Sequence, residues 1–143
     1  MNRFTRLVEL RSLKEETLGQ AHLRAVAEVN RVKEAIAALG EMTREGESEA
    51  RDDMLHGSGR LVPEMYDQFH RGQVHRRGQL DKALQQAEAA VLEARAVWQA
   101  AYREKKQAER LEENEGERQA KEARALETRT LDELGSMRHF RKS

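Results

Sequence analysis

The sequence predicts an all-α protein, an antiparallel two-helix coiled-coil hairpin with a longer C-terminal helix. Three observations predict this fold. Two segments repeat apolar residues at heptad spacing, a glycine-containing stretch separates them, and the composition has 36% charged but only 4% aromatic residues. A sustained heptad repeat is typical of a helix that lies along another helix and supercoils with it. So few aromatic residues do not favour a large globular core.

The first helix is expected over about residues 4–55. Six apolar residues share the heptad spacing of its stripe: Leu18, Ala25, Val29, Val32, Ile36 and Leu39. The periodicity stops at the segment His-Gly-Ser-Gly, residues 56–59, which predicts a turn over about 56–62. Pro63 then suits the first position of a helix, where its missing N–H group costs nothing, and the acidic Glu64 and Asp67 follow it.

The second helix is expected over about residues 63–138, and its stripe is the clearest pattern in the chain. Its members alternate spacings of four and three: Leu80, Leu84, Ala87, Val91, Ala94, Trp98 and Ala101. One half of this stripe is nearly all alanine and continues at Ala108, which lets two helix backbones approach closely. Trp98, the one tryptophan, is interpreted as an anchor of helix packing.

Folding the chain at the turn places Leu39 near residue 77 and Leu18 near Trp98. A parallel homodimer of one long broken helix is the alternative, because it would cover each stripe with a second copy. The hairpin is favoured because the two stripes can cover each other within one chain. We therefore expect residues 1–143 to form a single coiled-coil domain.

The two arms of the predicted hairpin differ in length. If Phe4 reaches back to about residue 112, the stretch from there to Arg138 extends about 39 Å past its partner helix. This stretch is at first nearly all charged residues, alanine and glutamine. Apolar residues then return: Leu126, Leu131, Leu134 and Met137. An apolar stripe without a partner helix predicts contact with another protein or with a second copy.

The residues that would carry chemistry are missing or scattered. The segment HGSGR lacks the Gly-Lys-Ser/Thr ending of a phosphate-binding loop, and the five histidines show no metal-site spacing. The chain has no cysteine. We therefore expect no enzymatic activity, no cofactor and no metal.

The charges and the hydropathy pattern bear on partners and location. The 26 basic and 26 acidic residues balance, which does not favour binding to nucleic acid. No apolar run has the length of a signal peptide or a membrane span. We expect a cytoplasmic protein that does not insert into the membrane.

Four segments, in this order, resemble the flagellar export protein FliJ family. They are DMLHGSG at the turn, YDQF after it, WQAAYREKKQ in the second helix and LDELGSMR near the C-terminus. The resemblance covers nearly the whole chain. It implies a coiled-coil stalk of the flagellar type III protein export apparatus, peripheral to the inner membrane, with a role in flagellum biogenesis and motility.

The resemblance also implies partners and contact residues. The stalk would insert into the hexameric export ATPase, regulate it, and couple it to the export-gate membrane protein and to export chaperones. The residues that would contact the ATPase are Phe4, Leu7, Leu131, Leu134 and Met137. The residues that would contact the export gate are Phe69, Gln73, Arg76 and Leu80.

Three alternatives remain open at this point. One is the equivalent stalk of a virulence type III secretion system, which would share this architecture. Another is a coiled-coil arm that binds nucleic acid through the basic cluster Arg138, His139, Arg141 and Lys142. The third is a scaffold that binds partners without changing any rate.

Overall fold

The computed structural model describes residues 2–57 and 63–142. Within these ranges the chain forms two helices and no strand: α1 is Thr5–His56 and α2 is Pro63–Lys142. The two long helices pack against each other, so the predicted all-α helical hairpin is confirmed. The helices were expected over about 4–55 and 63–138, and α2 continues to Lys142. Most of the predicted turn, residues 58–62, lies outside the described residues.

The end of α1 is capped by a glycine. Gly57 follows the last helical residue and has a positive φ of 64°. Its N–H group donates to the carbonyl oxygen of Asp53 at 3.0 Å. A left-handed residue just past a helix satisfies carbonyl groups that the helix itself leaves free, and glycine adopts this conformation without steric cost. The local sequence thus explains why α1 stops where it does.

Contacts group the chain in two units, and each contains a part of both helices. One unit is Leu18–Trp98, and the other, called here the terminal unit, is Met1–Thr17 with Gln99–Ser143. In the Leu18–Trp98 unit the helices run antiparallel, since Gly19 lies at Trp98 while Gly46 lies at Phe69. Leu39 lines a groove together with Arg77. This is the register that the sequence predicts.

The core of the Leu18–Trp98 unit is the line where the two apolar stripes meet. Its buried apolar residues are Val29, Val32, Leu39, Ala50 and Ala87. The larger stripe residues of α2, among them Leu84 and Val91, are half-buried. Each helix therefore covers the stripe of the other within one chain, which removes the reason for a homodimer of broken helices.

In the terminal unit, small residues of α2 lie against the first turns of α1. Ala101 and Ala108 are each 2% exposed, as expected for the alanine half of the stripe. Asn2 caps α1, because its Oδ1 accepts the N–H of Phe4 at 3.0 Å. Its Nδ2 donates to the carbonyl oxygen of Glu112 at 2.7 Å. The predicted position of the α1 start, near residue 112, is thereby confirmed.

Trp98 is packed against a glycine and a histidine of α1. A Cβ atom at Gly19 would lie 3.0 Å from Nε1 of the indole, so only glycine leaves this space open. The ring of His22 stacks on the indole with a centroid distance of 5.5 Å and an angle of 14° between the planes. Glycine inside a helix lowers its stability, and the covering of a tryptophan face offsets that loss.

We predict that Trp98→Ala lowers the free energy of unfolding by about 2–3 kcal/mol, less than for a fully buried tryptophan because the side chain is half-buried. Urea denaturation followed by circular dichroism measures the change. The matched control is Leu92→Ala on the same helix, whose side chain is 68% exposed and whose loss should cost about 0.5 kcal/mol or less. Equal losses for the two variants would contradict the role of Trp98 as an anchor.

Candidate interaction surfaces

The surfaces of interest lie on helix faces. Among the residues that the structure describes, no group of three or more His, Cys, Asp or Glu side chains is arranged to hold a metal ion. In the same ranges, neither helix contains a stretch apolar and long enough to cross a membrane. Three features of the described residues can take part in contacts: the end of α2, the ion pairs that precede it, and the groove around Phe69.

The last part of α2 has no helix packed against it. Every described residue from 120 to 142 is exposed. Five of them are large, apolar and more than half exposed: Leu126 at 64%, Leu131 at 62%, Leu134 at 52%, Met137 at 60% and Phe140 at 85%. Leu131, Leu134 and Met137 follow at steps of three, so they share one face of about 120°. Exposed apolar faces of this kind are typical of surfaces that contact another protein.

A buried carboxylate stands where the pairing of the two helices ends. Glu115 is 6% exposed. It accepts hydrogen bonds from Nε and Nη2 of Arg118 at 3.1 and 2.6 Å, and Nη2 of Arg3 lies 3.9 Å away. These hydrogen bonds from Arg118, helped by the charge of Arg3, hold the pKa of Glu115 below its ordinary value. Arg118 also bonds Glu122 at 2.5 Å, which continues the network into the exposed end of α2.

A second group of ion pairs joins α1 to α2 within the terminal unit. Glu104 lies 2.6 Å from Nη1 of Arg11 and 3.2 Å from Nζ of Lys14. The hydrogen bond from Lys14 is the main cause that lowers the pKa of Glu104. Lys105 and Glu15 form a longer pair at 3.7 Å. These pairs connect residues at the edges of the stripe and so favour the antiparallel register of this unit.

The residues predicted to contact the ATPase occupy two separate places in the terminal unit. Phe4 and Leu7 are half-buried in the first turns of α1, beside the region of Glu112. Leu131 lies about 28 Å further along α2 than Glu112, from the rise per residue of an α-helix. The structure therefore does not bring Phe4 and Leu7 together with the apolar face at the end of α2.

The residues predicted to contact the export gate differ in accessibility. Gln73 is 5% exposed and its Nε2 donates to Oγ1 of Thr43 at 3.3 Å, so it faces α1. Phe69 is 39% exposed, with its ring against Gly46. Leu80 is half-buried and Arg76 is exposed. A partner at this face would reach Arg76 and part of Phe69, while Gln73 holds the two helices together.

A groove of about 510 Å³ separates α1 from α2 next to these residues. Arg76 and Leu80 line it from α2, and Met42, whose side chain is 52% exposed, lines it from α1. Sequence reasoning missed the contribution of α1 to this face. The available signal was Gly46, a glycine at a stripe position seven residues after Leu39.

The chain was compared with protein families, with curated proteins and with solved structures. The model of a protein family described as "Flagellar FliJ protein" matches residues 1–143. No curated protein matches the chain. No solved structure matches it either.

The ion pairs of the terminal unit make its stability depend on pH. Because the pKa values of Glu104 and Glu115 are lowered on folding, their stabilising effect is complete above the ordinary carboxyl value of 4.5. It is lost as the pH falls through the lowered values. When the pH is lowered from about 6 to about 3, the melting temperature should fall. We expect this fall to be smaller for the double variant Glu104→Gln/Glu115→Gln than for the unmodified protein.

Melting curves by circular dichroism at both pH values test this expectation. The matched control is Glu127→Gln/Glu133→Gln, two exposed carboxylates of α2 for which the described residues show no ion pair. The control should keep the full drop in melting temperature. A double variant of Glu104 and Glu115 with the same drop as the control would show that the ion pairs do not stabilise the unit.

Proposed function

This chain belongs to the flagellar FliJ protein family, and we propose that it acts as the stalk of the export ATPase in flagellar type III protein export. The family is a non-catalytic component of flagellar export. The flagellar description of the matching family favours this role over a stalk of a virulence secretion system. The proposal concerns the partners, the contact residues and the effect on the ATPase.

The observation that carries the proposal is the exposed apolar face at the end of α2. Leu131, Leu134 and Met137 are each more than half exposed on a helix that continues past its partner. A single helix with an apolar face is held weakly by its own charge pairs, so binding to a partner is what would stabilise it. In our proposal the hexameric ATPase provides that partner in its central pore, and Phe4 and Leu7 add a second contact.

A stalk can regulate a ring of ATPase subunits without a catalytic group. One or two helices inside a six-fold ring are asymmetric, so they contact only some of the six subunits at a time. Where the contact is stronger with a closed, nucleotide-binding subunit than with an open one, it shifts the population toward the closed state. Stimulation of ATP hydrolysis and promotion of ring assembly are the expected results.

The remaining partners in the proposal are the export-gate membrane protein and the export chaperones. The gate contact is assigned to the face of Phe69, Gln73, Arg76 and Leu80. The exposed Arg76 and the exposed part of Phe69 would touch the partner, and Gln73 would hold their helix in place through Thr43. Through these contacts the protein would act in the cytoplasm at the inner membrane.

We predict that Leu131→Ala/Leu134→Ala/Met137→Ala abolishes most of the stimulation of the cognate ATPase, because it removes the exposed apolar face. The matched control is Thr128→Ala/Asp132→Ala/Ser136→Ala, three substitutions on the opposite face of the same helix. ATP hydrolysis rates and the distribution of ATPase oligomers by analytical ultracentrifugation measure the effect. Phe4→Ala/Leu7→Ala, measured alongside, separates the contribution of α1.

Three results would contradict the proposal or its assigned contact. An ATPase rate and an oligomer distribution unchanged by the unmodified protein would exclude a stalk function. If the protein bound the ATPase but changed neither quantity, the scaffold alternative would apply. If the apolar triple variant and its control lost the same share of the ATPase stimulation, the contact would lie elsewhere on α2.

A further inference from the structure

The ring of Phe69 lies in a notch that exists because α1 has a glycine at position 46. A Cβ atom at Gly46 would be 2.5 Å from Cζ of Phe69 and 2.6 Å from its Cε1. Carbon atoms do not approach so closely without a bond, so no other residue at position 46 leaves the ring in this place. The other glycines of this region differ, since a Cβ at Gly72 or at Gly78 would meet nothing within 4 Å.

The contact covers the tip of the ring that the proposed gate contact needs. Phe69 is 39% exposed, and it shares a cavity of about 140 Å³ with Gly46, Glu49 and Tyr66. Tyr66 is itself held one turn earlier, by stacking on His70 at a centroid distance of 6.5 Å. A partner can touch only the outer part of the ring while it rests against α1.

We propose that Gly46 and Phe69 regulate the export-gate contact: the ring docked on Gly46 is a self-covered state, and the partner binds the ring after it has rotated away from α1. The proposal rests on the gate contact proposed above. The chemistry of the partner follows from the surface that rotation opens, the face of the Phe69 ring on α2. An aromatic face of this kind fits an apolar segment of the partner.

A protein whose ring is docked on Gly46 binds the partner more weakly than a protein whose ring is always exposed. When only a fraction of the protein is competent to bind, the apparent dissociation constant rises by the inverse of that fraction. A docked ring in about 70–90% of the molecules would thus weaken binding about three- to tenfold. In return, it keeps an aromatic side chain partly out of water while no partner is present.

The variant Gly46→Ala tests the proposal because its methyl group occupies the place of the ring. The displaced atoms belong to the far end of a flexible side chain, and alanine favours a helix more than glycine does, so the variant should fold. The matched control is Gly40→Ala on the same helix, where a Cβ would meet only Nη2 of Arg44 at 3.8 Å. Phe69→Ala completes the set by removing the ring.

Two measurements on the full-length protein are needed. Nuclear magnetic resonance of protein with labelled phenylalanine rings reports whether the Phe69 signals move in Gly46→Ala and stay in Gly40→Ala. Binding of the purified cytoplasmic domain of the export-gate protein, by isothermal titration calorimetry, gives the affinities. We expect Gly46→Ala to bind about three- to tenfold more tightly, Gly40→Ala to bind as the unmodified protein does, and Phe69→Ala to bind more weakly.

The outcomes separate this inference from the function on which it rests. If Phe69→Ala binds normally, the gate contact at Phe69 is wrong and the inference falls with it. If Phe69→Ala binds weakly but Gly46→Ala binds equally well or less well than the unmodified protein, the gate contact stands. The partner then binds the ring in its docked position, and docking on Gly46 does not hinder binding. Unchanged Phe69 signals in Gly46→Ala would overturn the inference by showing that the notch does not hold the ring.

Discussion

The apolar stripes of α1 and α2 are removed from water by contact between the two helices, and the other features of the fold follow from that contact. Neither helix can cover its own stripe, because residues at heptad spacing lie on one side of the helix axis. Val29, Val32 and Leu39 are buried only where α2 lies against them. The hydrophobic surface of each helix is a narrow line, so stability is distributed along the two helices instead of being concentrated in a core.

Close approach of the helices makes single positions decisive. Small side chains on α2 let the backbones come near each other, and three of them are buried: Ala87, Ala101 and Ala108. Gly19 and Gly46 extend this principle, since each leaves room for one aromatic ring from α2. At Gly19 the ring is Trp98, which also stacks on His22 and so anchors the pairing. At Gly46 the ring is Phe69, which is partly exposed and belongs to the face proposed to bind the export gate.

Polar residues have two roles at the contact between α1 and α2. Some lie where the two helices cease to pair, and others form hydrogen bonds between the paired helices. Glu115 is buried under Arg118 beside the start of α1, and after residue 119 every described residue of α2 is exposed. Beyond this point the apolar residues of α2 have no helix to contact, so they are available to another protein. Gln73 plays a different part, because its hydrogen bond to Thr43 satisfies a buried amide within the stripe. The same contact between helices therefore accounts for both the covered stripe and the exposed end.

The two helices, their antiparallel pairing and the exposed end of α2 could all be predicted from the pattern of amino acids. Heptad spacing is a local property, and Gly57 and Pro63 stand where one helix stops and the next begins. The order of its short motifs also pointed to the family that residues 1–143 match. Which side chains are accessible could be learned only from the packing of α1 against α2. The family resemblance grouped Gln73 with Phe69 and Arg76 as contact residues, yet Gln73 is buried because Thr43 of α1 lies opposite it. The covering of Phe69 likewise depends on Gly46, more than twenty residues away in the sequence, and no pattern within one helix specifies which residue the other helix brings to meet it.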